Sequence, residues 1–209
     1  MSRRMFLLAG AAACADAWTP VASADQSPMA KLGKPAPAFK VADTGGRQRT
    51  LAEFRGKPVV LEWTSSSCPF AAAQYESGRM PELQRWAAAK GIVWLSVLST
   101  HPSRGDYLAP AQADAFNRRR GGAPTALLID SDGTMGHTYG AMTADHVFVI
   151  AANGTLVYAG GIDDSESRDP KEVAASHNHV RAALDDLLAR RPIKVPSTEP
   201  FGCAVSYAG

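Results

Sequence analysis

The chain has 209 residues, 45% of them hydrophobic and 20% charged, with a formal net charge of +2. That length suits about one domain with a core of its own, and a near-neutral balance with no basic stripe argues against a nucleic-acid partner. Beyond the first two dozen residues no apolar run is long enough to span a bilayer, so no stable membrane insertion is expected of the remainder.

Met1-Ser2-Arg3-Arg4-Met5-Phe6-Leu7-Leu8 is followed by a short alanine-rich run and by Val21-Ala22-Ser23-Ala24. Charge, a short apolar region and an A-x-A site are the order of a secretory signal, with cleavage expected after Ala24. Asp16 interrupts the apolar run, which argues against a membrane span. The Ser-Arg-Arg-x-Phe-Leu order is that of a twin-arginine signal, which routes proteins that fold before crossing. An ordinary export signal holding two arginines is the alternative. Ala11-Ala12-Ala13-Cys14 lacks the leucine usual at the start of a lipid-attachment site. The expected location is periplasmic or otherwise exported. Residues 1–24 carry Arg3, Arg4, Asp16 and Cys14, so the chain from Asp25 onward carries +1 and two cysteines, Cys68 and Cys203. In an oxidising compartment an even pair points to a bridge, structural or catalytic.

Residues 25–32 are small and polar and read as a linker. Asp43-Thr44-Gly45-Gly46 between extended flanks is a hairpin signal. A single turn, Leu51 to Lys57, leads into an apolar, β-branched strand at 58–63. A polar loop, Thr64 to Ser67, then delivers Cys68. Pro69 suits the first position of a helix, where its missing N–H would be unpaired anyway. Cys68 therefore stands at the N-cap, facing the positive end of the helix dipole, a setting that favours the reactive thiolate.

That helix is expected to reach Ser77-Gly78 and to restart over 81–90, stopped by Gly91. Residues 92–98 form a second continuous apolar strand, as in the middle of a parallel sheet. A loop over 101–110 and a helix over 111–120 follow, then a strand at 125–129 closed by Asp130-Ser131-Asp132-Gly133. A short helix is expected near 135–141. Strands 146–150 and 155–159 form a hairpin across Ala152-Asn153-Gly154. Pro170 opens a last helix over 171–190, with Val173, Val180, Leu184, Leu187 and Leu188 roughly on one face. Alternating strands and helices, then a hairpin and a helix, give an α/β fold: a mixed sheet with helices on both faces.

Several other residues invite a functional reading. Glu62 alternates with Trp63, so the two face opposite sides of the strand. A carboxylate beside the cysteine loop could relay protons to sulfur; a strand-end carboxylate, hydrated or paired, is the alternative. Trp63 reads as core or pocket wall. His146 either pairs with Asp145, approaches Cys68, or is structural. His177 and His179, two apart on the expected last helix, do not share a face. Asp130 to Gly133 lacks the downstream acidic ligands of a calcium loop and reads as a turn. Gly121-Gly122 and Gly160-Gly161 lack the strand–loop–helix setting of a phosphate loop. No metal or cofactor is expected.

The segments GKPAPAF, FRGKPVVLEWTSSSCPF, APTALLIDSDG, YGAMTADHVFVI, NGTLVYAGGIDD and FGCAVSY, in this order, resemble the thioredoxin-like superfamily. The likeness is to its redoxin group, which includes the alkyl hydroperoxide reductase and thiol-specific antioxidant proteins, and it covers about residues 33–209. It implies a thioredoxin-like domain over 33–191 and an extended tail over 192–209. It also implies a reactive Cys68 and a partner cysteine, Cys203, in the tail. Glu62, Trp63, Thr64, Pro69, Asp145 and His146 would support that site. About a dozen residues separate Cys203 from Arg191, an extended reach of roughly 40 Å. A domain of this size has a radius of gyration of about 15 Å, so the tail can lie back to Cys68. Pro192, Pro196 and Pro200 keep it extended.

Three departures from the group's pattern stand out. Ala71 occupies the place of a second local cysteine. Ala72-Ala73-Gln74 replaces the usual basic residues. Asp145 stands where a cis-proline is expected before the hairpin; its peptide bond is expected to be trans, since a non-proline cis bond costs about 2.5–4 kcal/mol. An Asp145 carboxylate aimed at Cys68 would raise the thiol pKa and slow attack.

The resemblance implies an exported thiol-dependent oxidoreductase, peroxidase-like, with a peroxide or disulfide substrate and an external dithiol reductant. The alternatives are an envelope disulfide-exchange protein and a binding scaffold whose Cys68–Cys203 bridge only staples the tail.

Overall fold

The computed structural model describes residues 29–208; the signal expected over 1–24 and the first half of the expected linker, 25–28, lie outside them. A hairpin of β1 (Lys40–Ala42) and β2 (Gln48–Thr50) stands apart from a five-stranded sheet of order β5-β4-β3-β6-β7. In that sheet β3 (Val59–Trp63), β4 (Val93–Leu98) and β5 (Ala126–Ile129) run parallel. The hairpin strands β6 (Val147–Ile150) and β7 (Leu156–Gly160) are antiparallel, β6 pairing with β3.

The central place of β3 follows from its sequence. All five residues are buried, Glu62 among them, as expected of a strand covered on both faces. Val59, Leu61 and Trp63 pack into one core layer with Tyr139 and Phe148. Val60 points into the other, with Met80, Trp94, Tyr158 and Leu184. Among the described residues six α-helices flank the sheet: α1 (Pro69–Glu76), α2 (Arg79–Ala89), α3 (Pro110–Arg119), α4 (Thr134–Tyr139), α5 (Pro170–Ala175) and α6 (His179–Leu188). The mixed sheet with helices on both faces agrees with the sequence reading.

The single last helix expected over 171–190 is instead two. Ser176 is extended (φ −72°, ψ 160°), and the Asn178 side chain caps α6 by accepting from Arg181 N at 2.7 Å. The Arg79 guanidinium takes up the carbonyls of Val173, Ala174 and Ser176 at 2.6–3.0 Å, satisfying the end of α5. The break places Val173 on α5, apart from Val180 and Leu184 on α6, and leaves Leu188 exposed. It also corrects the histidine pair. His177 precedes the cap, and its ring meets that of His179 edge-on at 5.3 Å.

Both sheet edges carry a short cover. Asp43 bridges to Leu128 on β5, and Thr44 N donates to Leu127 O at 3.0 Å. On the other edge, Ser197 of the segment after α6 bridges Ala159 of β7 in parallel.

Candidate functional site

Cys68 is the N-cap of α1 with Pro69 at the first helical position, and it is disulfide-bonded to Cys203 across 135 residues of sequence. The two Cα atoms are 5.6 Å apart. Cys68 is only 2% exposed, packed with Ala71 and Ala144, whereas Cys203 is half-buried. Cys203 N–H points at Cys68 Sγ from 3.2 Å. The Ala71-Ala72-Ala73 stretch of α1 is uncharged, and positive charge comes instead from outside the helix, where the Arg168 guanidinium lies 5.0 Å from the centre of the Phe70 ring.

The tail reaches this point as an added strand. Thr143 bridges Ala204 in antiparallel fashion, Ala144 N donates to Cys203 O at 2.8 Å, and Val205 N donates to Met142 O at 2.9 Å. One carboxylate oxygen of Asp106 accepts from Ser67 Oγ at 2.9 Å and Ser206 Oγ at 3.3 Å, tying the loop before Cys68 to the segment after Cys203. The Phe201 ring meets Phe70 of α1 edge-on.

Asp145 adopts φ +68°, and no peptide bond among the described residues is cis. Asp145 N donates to Trp63 O at 2.7 Å, while Trp63 N donates to His146 O at 2.9 Å. Two residues thus oppose one, with the first in the left-handed region, which is a β-bulge at the end of β6. The Asp145 side chain is fully buried and neither carboxyl oxygen has a hydrogen-bond partner. Burial pushes its pKa well above the ordinary range; Glu62 and Asp163 push the same way and Arg120 opposes them. A Cβ at Gly202 would stand 3.8 Å from Asp145 Oδ2, so this carboxyl lies beneath the tail next to Cys203. It does not ion-pair with His146. That ring stacks on Phe148 at 4.3 Å, its Nδ1 accepts from Met142 N at 3.3 Å, and burial lowers its pKa to about 4.

Glu62, one residue from the end of β3, is fully buried and paired with donors on its neighbours. Its Oε1 accepts from Tyr75 OH at 2.8 Å. Its Oε2 accepts from Trp94 Nε1 and Ser96 Oγ, both at 2.7 Å, and from Gln84 Nε2 at 3.0 Å. Four donors satisfy a buried carboxylate. Burial first, then the Glu62 charge, hold the Tyr75 hydroxyl protonated far above its usual range. Trp63 lies on the other face, where its indole N–H donates to Ser99 Oγ at 3.0 Å and Ser99 donates to Asp130 at 2.5 Å.

Thr64 Oγ1 accepts from Arg120 Nη1 at 3.0 Å, and the Arg120 guanidinium lies 3.5 Å over the Tyr75 ring. Arg120 therefore brings a cation to the layer holding Glu62, Tyr75 and Asp145. Nothing in its sequence setting, the end of an ordinary amphipathic helix, marks it. Asp163 was equally hidden; Gln74 Nε2 donates to it at 2.6 Å within the core.

The arrangement is a helix-capping sulfur bonded to a tail sulfur, over a layer of buried carboxyls. A disulfide at a helix N-terminus is a setting for thiol–disulfide chemistry, because that terminus favours a thiolate over a thiol. A family model described as the AhpC/TSA family matches residues 32–159. Among solved structures, a hypothetical protein from Sinorhizobium meliloti 1021 is 22% identical, with a TM-score of 0.73 over 88% of this chain and 98% of that one. An uncharacterized conserved protein from Geobacillus kaustophilus is 23% identical, with a TM-score of 0.71 over 87% of this chain and 95% of that one. Both likenesses are of fold, the thioredoxin-like α/β arrangement. No curated protein matches the chain.

Proposed function

The chain belongs to the AhpC/TSA family, and from that premise we propose that it is an exported thiol-dependent peroxidase in which Cys68 attacks and Cys203 resolves. The Cys68 thiolate displaces alcohol or water from a peroxide, leaving a sulfenic acid. The Cys203 thiol condenses with that sulfenic acid, releasing one water and forming the bridge. An external dithiol then attacks the bridge. Cys203, the more exposed half, is the sulfur it meets first, and Cys68 leaves as the thiolate favoured at its helix cap. The observation that carries this reading is the bond between an N-cap cysteine and a distant tail cysteine. Export rests on the twin-arginine order at Ser2 to Leu7 and the A-x-A site ending at Ala24.

The test is to add one equivalent of hydrogen peroxide to the reduced protein with a sulfenic-acid trap and to map the modified thiol by mass spectrometry. The Cys203→Ser variant is expected to trap an adduct on Cys68, and the parent to form the bridge instead. Peroxide consumption by Cys68→Ser as fast as by the parent would overturn the reading.

One observation favours envelope disulfide exchange as a second reading. The tail pairs with residues 142–144 through backbone hydrogen bonds, a mode that takes any extended peptide. Mixed disulfides accumulating on Cys203→Ser in the envelope would support it; their absence would remove it.

A further inference from the structure

The sulfur bond is only one of the ties that hold the tail. Five residues before Cys203, Thr198 Oγ1 hydrogen-bonds Tyr158 OH at 2.8 Å and accepts from Gly161 N at 3.0 Å. Four residues after it, Tyr207 is seated on α4. Its ring stacks on His137 with centroids 4.1 Å apart, and its hydroxyl donates to Ala141 O at 2.8 Å. Its main-chain carbonyl accepts from Arg104 Nε at 2.9 Å.

The seat is shaped for a ring. A Cβ at Gly133 would stand 2.7 Å from Tyr207 Cδ1, and one at Gly136 would collide with the Tyr207 hydroxyl. Both positions are bare, and the aromatic ring fills the space. Burial raises the Tyr207 pKa, so the hydroxyl stays a donor at any physiological pH.

We propose that Tyr207, in its seat on Gly133, Gly136 and His137, is the positioning residue for Cys203: it keeps the tail docked when the bridge is open. The proposal deepens the reading of Cys203 as the resolving thiol and rests on it. A cysteine on a flexible tail meets its partner at an effective concentration in the millimolar range. A cysteine pinned on both sides meets it at a far higher one, because the orientational entropy has been removed beforehand. Closure of the bridge is then a local rotation rather than a search, and the tail need not leave its groove during a cycle.

The test uses glutathione and needs no peroxide. Reduced protein plus oxidised glutathione gives bridged protein plus two reduced glutathiones; two electrons leave the cysteines and two protons pass to the glutathione sulfurs. Tyr207→Ala is expected to lower the equilibrium constant for bridge closure about tenfold or more. Tyr207→Phe, which keeps the ring, is expected to recover most of it. Gly136→Ala displaces the ring without altering the tail and is expected to behave like Tyr207→Ala, which guards against misfolding of either variant. Hydrogen exchange on the reduced parent should still show a protected Val205 amide, and protection should be lost in Tyr207→Ala. Equal constants for the parent, Tyr207→Ala and Gly136→Ala, or an unprotected Val205 in the reduced parent, would overturn the proposal. Because the readout is bridge closure, it separates failure of the anchor from failure of peroxide reduction, which the Cys68→Ser assay reads.

Discussion

Asp145 and Trp63 hold each other in a bulged register: Asp145 N–H donates to the Trp63 carbonyl, and Trp63 N–H passes over Asp145 to the carbonyl of His146. The bulge demands φ +68° at Asp145, a region that aspartate tolerates better than most residues and glycine best. Asp145→Gly is therefore expected to raise stability by about 1 kcal/mol or more, since it also removes a buried acid without partners. Asp145→Asn keeps a buried polar group there and gains only what protonating the acid costs at neutral pH. Asp145→Pro is expected to lose about 3 kcal/mol or more. Its φ is locked near −65° and it lacks the N–H that Trp63 uses. Urea midpoints of the three variants check this; a proline variant as stable as the parent would contradict the bulge.

The pH profile of stability should carry two opposed contributions from adjacent residues. His146 is held neutral by burial with a pKa near 4, against 6.5 when free, so folding loses stability as pH falls from 6.5 towards 4. By linkage the loss is about 3 kcal/mol below pH 4. Asp145 binds its proton more tightly folded than unfolded. Its contribution is full below about pH 3.8 and is lost as pH rises towards its elevated folded pKa. Melting curves from pH 4 to 8 should show Asp145→Asn gaining on the parent as pH rises. His146→Asn, which keeps an acceptor for Met142 N–H, should gain on the parent as pH falls below 6.5. Flat differences in both series would contradict these assignments.

Glu62→Leu is expected to cost about 3–5 kcal/mol, because it strands the donors of Tyr75, Gln84, Trp94 and Ser96 in the core. Glu62→Gln should cost less, about 1–3 kcal/mol, since its amide nitrogen meets other donors but its oxygen still accepts. Denaturant unfolding of the two variants gives the order; the reverse order would mean that the carboxylate is not held by these four groups.

Gly202 adopts φ +117°, and a Cβ there would collide with the Ala144 carbonyl. Gly202→Ala is expected to weaken tail docking by about 1–3 kcal/mol. With Tyr207 keeping the tail docked in both, the bridged protein and the reduced Cys203→Ser background should each lose stability. A loss confined to the bridged protein would show that the tail leaves its groove once the bridge is open.

Much of the site was legible because it is local. A proline after Cys68, a polar loop before it and an apolar strand before that are neighbours in sequence, and together they place a sulfur on a helix cap. The sheet and its hairpin were legible for the same reason, since strand runs and an Asn-Gly turn repeat over a few residues. What surrounds the sulfur was not. The four donors to Glu62 come from α1, α2 and β4, and Tyr207 meets α4 only because the whole tail is laid across the domain. The break between α5 and α6 had one local signal, the Asn178 cap of α6, but Arg79, which ends α5, is more than ninety residues away. Periodicity reports which face of a segment is buried and nothing about which distant polar groups will meet there.

The cover on the β7 edge has a consequence for handling the protein. An open strand edge offers unpaired N–H and C=O groups to any second chain, and proteins guard such edges against sheet-to-sheet association. Here the guard is the stretch around Ser197, the same tail that carries Cys203. Chemistry and colloidal behaviour are therefore linked. A chain shortened to the end of α6 would lose its partner sulfur and bare the edge at Ala159 together, while Gly33 and Lys34 still cover Leu156, so aggregation would accompany loss of the bridge and be mistaken for misfolding.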